Sequence, residues 1–547
     1  MEAVTIVLVL LLVVVMSSWI ARALPWAIPR PLIQIALGGL VGLAANLRVE
    51  LNPEVFFLLF LPPLLFLDGW RIPKEEMLRD AGTILELALG LVIFTVVGVG
   101  FFINWLVPAM PLPVAFALAA VLSPTDPIAV TSIAARVPIP KRLMHILEGE
   151  SLLNDASGLV CLRFAVAAAM TGTFSLYDAT LSFFWVALGG IGVGLAVTLA
   201  VTRAKVWLAL RIGEEAGTQI IIGLLIPFGS YLLAEHLHCS GILAAVSAGV
   251  TMSVADARRP TLASTRVQQN TVWDTIQFSA NGIIFVLLGE QLPGILDGAA
   301  DTVRVTGHHE PWWLLVYIAL ITLALAMLRL LWVWVSLTFT LFRASLRGEN
   351  MTRPHWRLVV ATSLAGVRGA ITLAGILTLP LALADGTPFP ARDLAILLAM
   401  GVIILSLVAA SAGLPLLLKG LEMPADVSHA EEEDRARVAS AKAAIVAVER
   451  VQHEMSEGRP DADIIVAAAA RIMEFYRSRI DHRSGEHDAE TGALARQSEA
   501  AERTMLVAAL KAERSAILAL RRAKGINGET ARQLMHEIDL LEVRYSN

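Results

Sequence analysis

The chain has 547 residues, 56% of them hydrophobic and 17% charged, with a mean hydropathy of +0.67 and a formal net charge of −5. That balance excludes an ordinary soluble domain, and the negative charge gives no electrostatic reason to expect nucleic acid as a partner. The two cysteines, Cys161 and Cys239, both lie in apolar surroundings, so no disulfide framework is implied and the redox compartment stays open.

Apolar runs of about 20 residues recur along the first three quarters, each long enough to cross a hydrocarbon layer of roughly 30 Å as a helix. The sequence therefore predicts an all-α polytopic membrane protein with the lipid bilayer as its solvent. Thirteen spans are expected, centred near residues 12, 39, 61, 96, 124, 158, 191, 227, 247, 283, 325, 370 and 405. The first, Val4 to Ile20, has no basic residue before it and no small-residue cleavage site after it, which fits a retained span better than a signal peptide. If the N-terminus lies outside, the cytoplasmic loops collect Arg22, Arg30, Arg71, Arg136, Lys141, Arg203, Arg259, Arg347 and their basic neighbours. The opposite loops keep only Arg48, Arg304 and Arg392, as the positive-inside rule expects.

The fifth span carries "SPTDPIAV" at 123 to 130. Pro124 and Pro127 each lack a backbone donor and push Ser123 and Asp126 out of the helical region, so this span should break at its centre. A second half-helix is expected from Pro127 to Ala135, capped by Thr125 or Asp126. A capped kink would account for the prolines alone. It would not account for Asp126, because a carboxylate at membrane depth costs roughly 3 kcal/mol unless it is paired or wet.

The sixth span holds the densest polar cluster, "ILEGESLLNDASGLVCLRFAV". Glu150, Ser151, Asn154 and Asp155 fall within an arc of about 140° on a helix, so they share one face and offer oxygens to a hard cation. In the twelfth span, Gly366 and Gly369 flank Arg368 in "SLAGVRGAITLAGI". Spans five and twelve are an odd number apart and so antiparallel, the arrangement of an inverted repeat whose broken helices cross at one site. Spans three and ten have the same offset, with Pro62 and Pro63 in one and "SANG" at 279 to 282 in the other. Glu150 and Arg368 could serve the ion or could simply be each other's partner in a structural network.

Near Lys419 the composition turns charged and alanine-rich and stays so to Asn547. The expected division is a transmembrane domain at 1–422 and a helical cytoplasmic domain at 423–547. Leu506, Leu510 and Ile517, and Leu534, Ile538 and Leu541, recur at helical spacing in that tail, with turns expected at Pro460 and across "KGINGET" at 524 to 530. A supporting tail and a regulatory module both fit.

Four stretches in chain order, "FLPPLLFLDGW", "LSPTDPIAV", "EGESLLNDASGLV" and "GVRGAITLAG", resemble the bacterial sodium/proton antiporters of the monovalent cation:proton antiporter superfamily, in the branch with an Asn-Asp pair. The resemblance implies a homodimer in the bacterial inner membrane. Each thirteen-helix protomer would have a dimerisation part and a six-helix moving part containing two crossed, interrupted helices, with access alternating by an elevator-like movement. By the same resemblance Asp155 is the acidic ligand for cation or proton and Asn154 its companion. Asp126, Thr125 and Ser151 are further ligands, Asp68 stands where some relatives place another site carboxylate, and Glu150 with Arg368 is a buried ion pair. Arg163 receives no role.

Burying Asp155 makes proton and Na⁺ rivals for the same oxygens, because either occupant leaves the site closer to neutral than none. The expected activity is therefore Na⁺/H⁺ exchange for pH and cation homeostasis, one for one, with Li⁺ and K⁺ left open. A cation channel could use the same oxygens, and a sensor could keep the fold with the tail as its output. No phosphate loop, zinc spacing or nucleophile constellation of enzymatic quality occurs, so neither an enzyme nor a cofactor is expected.

Overall fold

The computed structural model describes residues 2–24, 28–45, 53–72, 81–126, 141–171, 176–213, 215–258, 263–297, 312–346, 355–383, 386–419, 427–456, 462–481, 489–523 and 528–546. Within them the chain is helical, apart from one isolated bridge between Ala382 and Pro388. It divides into two compact units, Met1–Leu421 and Glu422–Asn547.

The first unit contains α1 (Glu2–Ala23), α2 (Arg30–Ala45), α3 (Pro53–Arg71), α4 (Ala81–Leu106), α5 (Leu112–Leu122), α6 (Lys141–Thr171) and α7 (Leu176–Ile212). It continues with α8 (Ala216–His236), α9 (Gly241–Arg258), α10 (Ala263–Asp297), α11 (Trp312–Leu346), α12 (Trp356–Leu364), α13 (Ala370–Leu377) and α14 (Arg392–Leu418). Among the described residues eight helices are long and apolar enough to cross a membrane, and three more are apolar but shorter. α4 carries a π-helical stretch, Glu86–Leu91, that no feature of its sequence announced.

Contacts sort these helices into two sets. α1, α2, α3, α7, α8, α9 and α10 pack among themselves, and so do α4, α5, α6, α11, α12, α13 and α14. The sets meet where α3 and α10 touch α13, where α3 and α9 touch α6, and where α2 and α10 touch α14. Inside a membrane, burial from lipid supplies no hydrophobic drive between helices, so close backbone approach through small residues has to hold them. In the first set, a Cβ on Gly42 or Gly289 would strike the backbone of the facing helix across the α2–α10 contact, and one on Gly69 or Gly249 would do so between α3 and α9.

Spans three and ten share the offset of the two broken spans, but neither of them is interrupted. α3 runs unbroken through Pro62 and Pro63, and α10 runs unbroken through residues 279 to 282. Proline at these positions removes donors without stopping the helix, because packing against α9 holds the backbone in place.

The second unit comprises α15 (Val427–Ser456), α16 (Ala462–Asp481), α17 (Ala489–Arg522) and α18 (Gly528–Ser546). α15 packs on α16, and α17 on α18. Leu510 and Ile538 are buried, whereas Leu506 and Leu541 stay exposed. Arg514 joins the second pair by binding Asp539 and Glu542. Pro460 and residues 524–527 of the turn expected across 524–530 lie outside the described residues, whereas 528–530 open α18.

Candidate functional site

α5 stops at Leu122 because Pro124 has no N–H with which to continue the ladder, and the chain then runs unwound through Thr125 and Asp126. A second gap separates α12 from α13, between Leu364 and Ala370. The two gaps cross. The Asp126 amide donates to the Val367 carbonyl at 2.7 Å, and a Cβ on Gly369 would collide with the Asp126 carboxylate, so only glycine lets the strands approach this closely. Arg368 stitches the crossing: its Nε donates to Leu122 O at 2.9 Å, one of its terminal nitrogens to Gly366 O, and its amide to Ser406 Oγ at 3.2 Å. A cation is well placed there, because the last carbonyls of α5 have no helical partner and carry the negative end of its dipole. The half-helix expected from Pro127 to Ala135 lies outside the described residues.

α6 lies against this crossing. Gly158 permits it, since a Cβ there would meet the ring of Pro124 and the Ala120 carbonyl. On the face read from the sequence, Glu150 is held bidentately by Arg329 of α11, at 2.5 and 2.7 Å, with the two side chains 1% and 3% exposed. Arg329 also donates to Thr362 O at 3.2 Å, Thr125 Oγ1 donates to Glu150 Oε1 at 3.2 Å, and Asn154 Nδ2 donates to Thr125 Oγ1 at 3.1 Å. This chain of bonds ties α6 to both gaps. Oδ1 of Asn154 is buried and has no hydrogen-bond partner among the described residues.

Next to the network is a small cavity of about 30 Å³. Asp68, Thr125, Asp126, Ser151 and Asp155 all line it, with Asn281, Gly369 and Thr372 completing the polar wall. Asp155 is 7% exposed, Asp126 is half-buried, and Asp68 is the most exposed of the three. Among the described residues no three acidic, histidine or cysteine groups close up as a ready-made metal cage. The carboxylates instead face a common space from α3, from the gap after α5 and from α6.

One pairing from the sequence reading needs correction. Glu150 pairs with Arg329, not with Arg368, whose guanidinium is spent on main-chain carbonyls. Arg329 was missed, although a lone arginine inside the apolar run of α11 was itself a signal that a buried acid had to face it. Asn281 was missed as a cavity residue. Arg163 binds Glu235 of α8 at 2.8 Å, away from the cavity.

The family model described as the transmembrane sodium/hydrogen exchanger matches residues 7–420. The chain is 43% identical over 549 residues to an Escherichia coli K12 protein named as the uncharacterized Na(+)/H(+) exchanger YjcE, covering 99% of this chain and 98% of that one. It is 38% identical over 562 residues to the sodium, potassium, lithium and rubidium/H(+) antiporter of Bacillus subtilis strain 168, covering 100% of this chain and 79% of that protein. Its fold is similar to the solved structure of the sodium proton antiporter MjNhaP1 from Methanocaldococcus jannaschii, with a TM-score of 0.59 and 20% identity over 77% of this chain and 99% of that one.

Proposed function

The chain belongs to the sodium/hydrogen exchanger family, and on that premise we propose that it exchanges Na⁺ for H⁺ one for one, with Asp155 as the shared carrier. It is a multi-pass membrane transporter and not an enzyme. The observation that carries the reading is the position of Asp155: almost fully buried, beside two crossed helix gaps, and lining one cavity with Asp126, Thr125, Ser151 and Asp68.

The mechanism follows from charge. Among the described residues no protein donor or cation occupies the Asp155 carboxylate, so bare and buried it is costly, and a proton or an alkali cation relieves that cost equally well. The two occupants exclude each other at the same oxygens. Asp126 and Ser151 add oxygens for the cation, and Asn154 fixes Thr125 beside them. Only the occupied site then crosses readily, and a proton gradient drives cation the other way. One titrating carboxylate beside an asparagine makes the exchange electroneutral.

In this reading α12 and α13 form a single interrupted span, the membrane unit has thirteen spans, and the N-terminus is outside. Glu422–Asn547 is then cytoplasmic and the membrane is the bacterial inner one. The set containing α4, α5, α6, α11, α12, α13 and α14 carries the site and slides as an elevator against the other set, which supplies a homodimer contact. The sparse meeting of the two sets supports such sliding. Because a 38%-identical relative is named for sodium, potassium, lithium and rubidium, all four cations belong in the test.

That test is proton-coupled flux in proteoliposomes with each cation in turn, with and without an imposed voltage. The expected result is Na⁺-dependent collapse of a pH gradient, unaffected by voltage and abolished in Asp155→Asn, while that variant keeps its wild-type melting behaviour. Flux in Asp155→Asn at the wild-type rate overturns the reading.

A further inference from the structure

The polar wall of the cavity includes a residue that the exchange scheme above does not use. Asn281 lies on α10, in the set of helices that does not carry Asp155, and it lines the same space as Asp68, Asp126, Ser151 and Asp155. Among the described residues its buried Oδ1 has no hydrogen-bond partner. An orphaned acceptor of this kind costs about 1–3 kcal/mol, so a native membrane helix keeps one where something else satisfies it.

Packing does not require the amide. The neighbouring residues do that work: Gly282 brings α10 against Val14 and Gln34 so closely that any Cβ would strike them, and Ala280 and Ile284 are buried. What the amide adds is an oxygen of a particular kind. A carboxylate takes a proton or a cation, whereas a neutral amide oxygen ligates hard alkali cations and does not titrate in the physiological range.

We infer that Asn281 is a specificity-determining ligand for the transported alkali cation, supplying from α10 a neutral oxygen that strengthens cation binding without strengthening proton binding. The inference rests on the exchange reading above. Competition at Asp155 gives the apparent KM for Na⁺ a flat alkaline plateau and a rise below a break pH set by the proton. A ligand that serves only the cation changes the height of the plateau and leaves the break where it was. A residue that merely positions Asp155 moves both.

The experiment measures Na⁺ KM against pH for the full-length chain in proteoliposomes, comparing wild type with Asn281→Ala and Asn281→Ser. The alanine variant is expected to raise the plateau KM about tenfold, equivalent to roughly 1.4 kcal/mol for one lost ligand, with the break pH unchanged. Asn281→Ser restores a neutral oxygen on the same Cα and is expected to fall between the two. An unchanged plateau overturns the inference, since the amide then holds only water, and so does a break that shifts together with the plateau or a serine variant no better than alanine. Absence of coupled exchange in the wild type would instead defeat the underlying reading, which separates the two failures.

Discussion

Glu150 and Asp155 stand at the two edges of the polar arc of α6, about 140° apart, and their surroundings are built in opposite ways. Glu150 is closed off: two bonds from Arg329 and one from Thr125 meet its carboxylate, with Arg329 further anchored on Thr362. Asp155 opens on a cavity that also holds two other carboxylates, and two orphaned amide oxygens, those of Asn154 and Asn281, lie close at hand. Inside a membrane both acids are expensive, and the difference is in what offsets the expense. A permanent internal partner makes Glu150 a structural fastening. Among the described residues Asp155 has no such partner, which leaves room for an exchangeable one, so satisfaction, and not residue type, separates the scaffold from the site.

The largest effect that would break this comparison is on the closed side. Arg329→Ala strands Glu150 uncompensated and is expected to destabilise the fold by about 3–5 kcal/mol, read as a large drop in melting temperature in detergent. Replacing both partners, Arg329→Met with Glu150→Gln, should recover most of that loss. If Arg329→Ala melts normally while exchange is lost, Arg329 belongs to transport and the division fails.

A smaller effect is expected at the seam between the regions. Gly369→Ala drives a methyl into the Asp126 carboxylate and should cost about 1–3 kcal/mol by overpacking, seen as weaker Na⁺ binding in calorimetry together with a modestly lower melting temperature. Unaltered Na⁺ binding in that variant would show that Asp126 is not held in place by the crossing. The smallest effect is outside both regions. Arg163 and Glu235 form a pair whose side chains are 53% and 35% exposed, so Arg163→Ala should change stability by no more than about 1 kcal/mol. A larger loss on thermal melting would mean that this pair too is a fastening.

The reach of the sequence follows the same division. The gap at Thr125 and Asp126 was legible because proline chemistry is local, and the shared face of Ser151, Asn154 and Asp155 was legible because helical periodicity is local. The partner of Glu150 was not. Arg329 in α11 and Arg368 in the gap between α12 and α13 are both solitary arginines in apolar stretches, and nothing local says which of them spans the distance to α6. The answer depends on Arg368 being drawn to the open carbonyls of α5, a tertiary fact. Asn281 was hidden for a related reason. "SANG" was read only as the repeat counterpart of Pro62 and Pro63, whereas α10 brings Asn281 to the wall of the cavity.

The central claim is that proton and cation take turns on Asp155, and the most direct measurement is proton release on cation binding. Purified wild-type protein in weakly buffered detergent solution is titrated with Na⁺ while pH and bound Na⁺ are followed together. The account predicts release of about one proton per Na⁺ bound wherever the site begins protonated, and none from Asp155→Asn. Sodium binding without proton release in the wild type, or the same release from the variant, would contradict it.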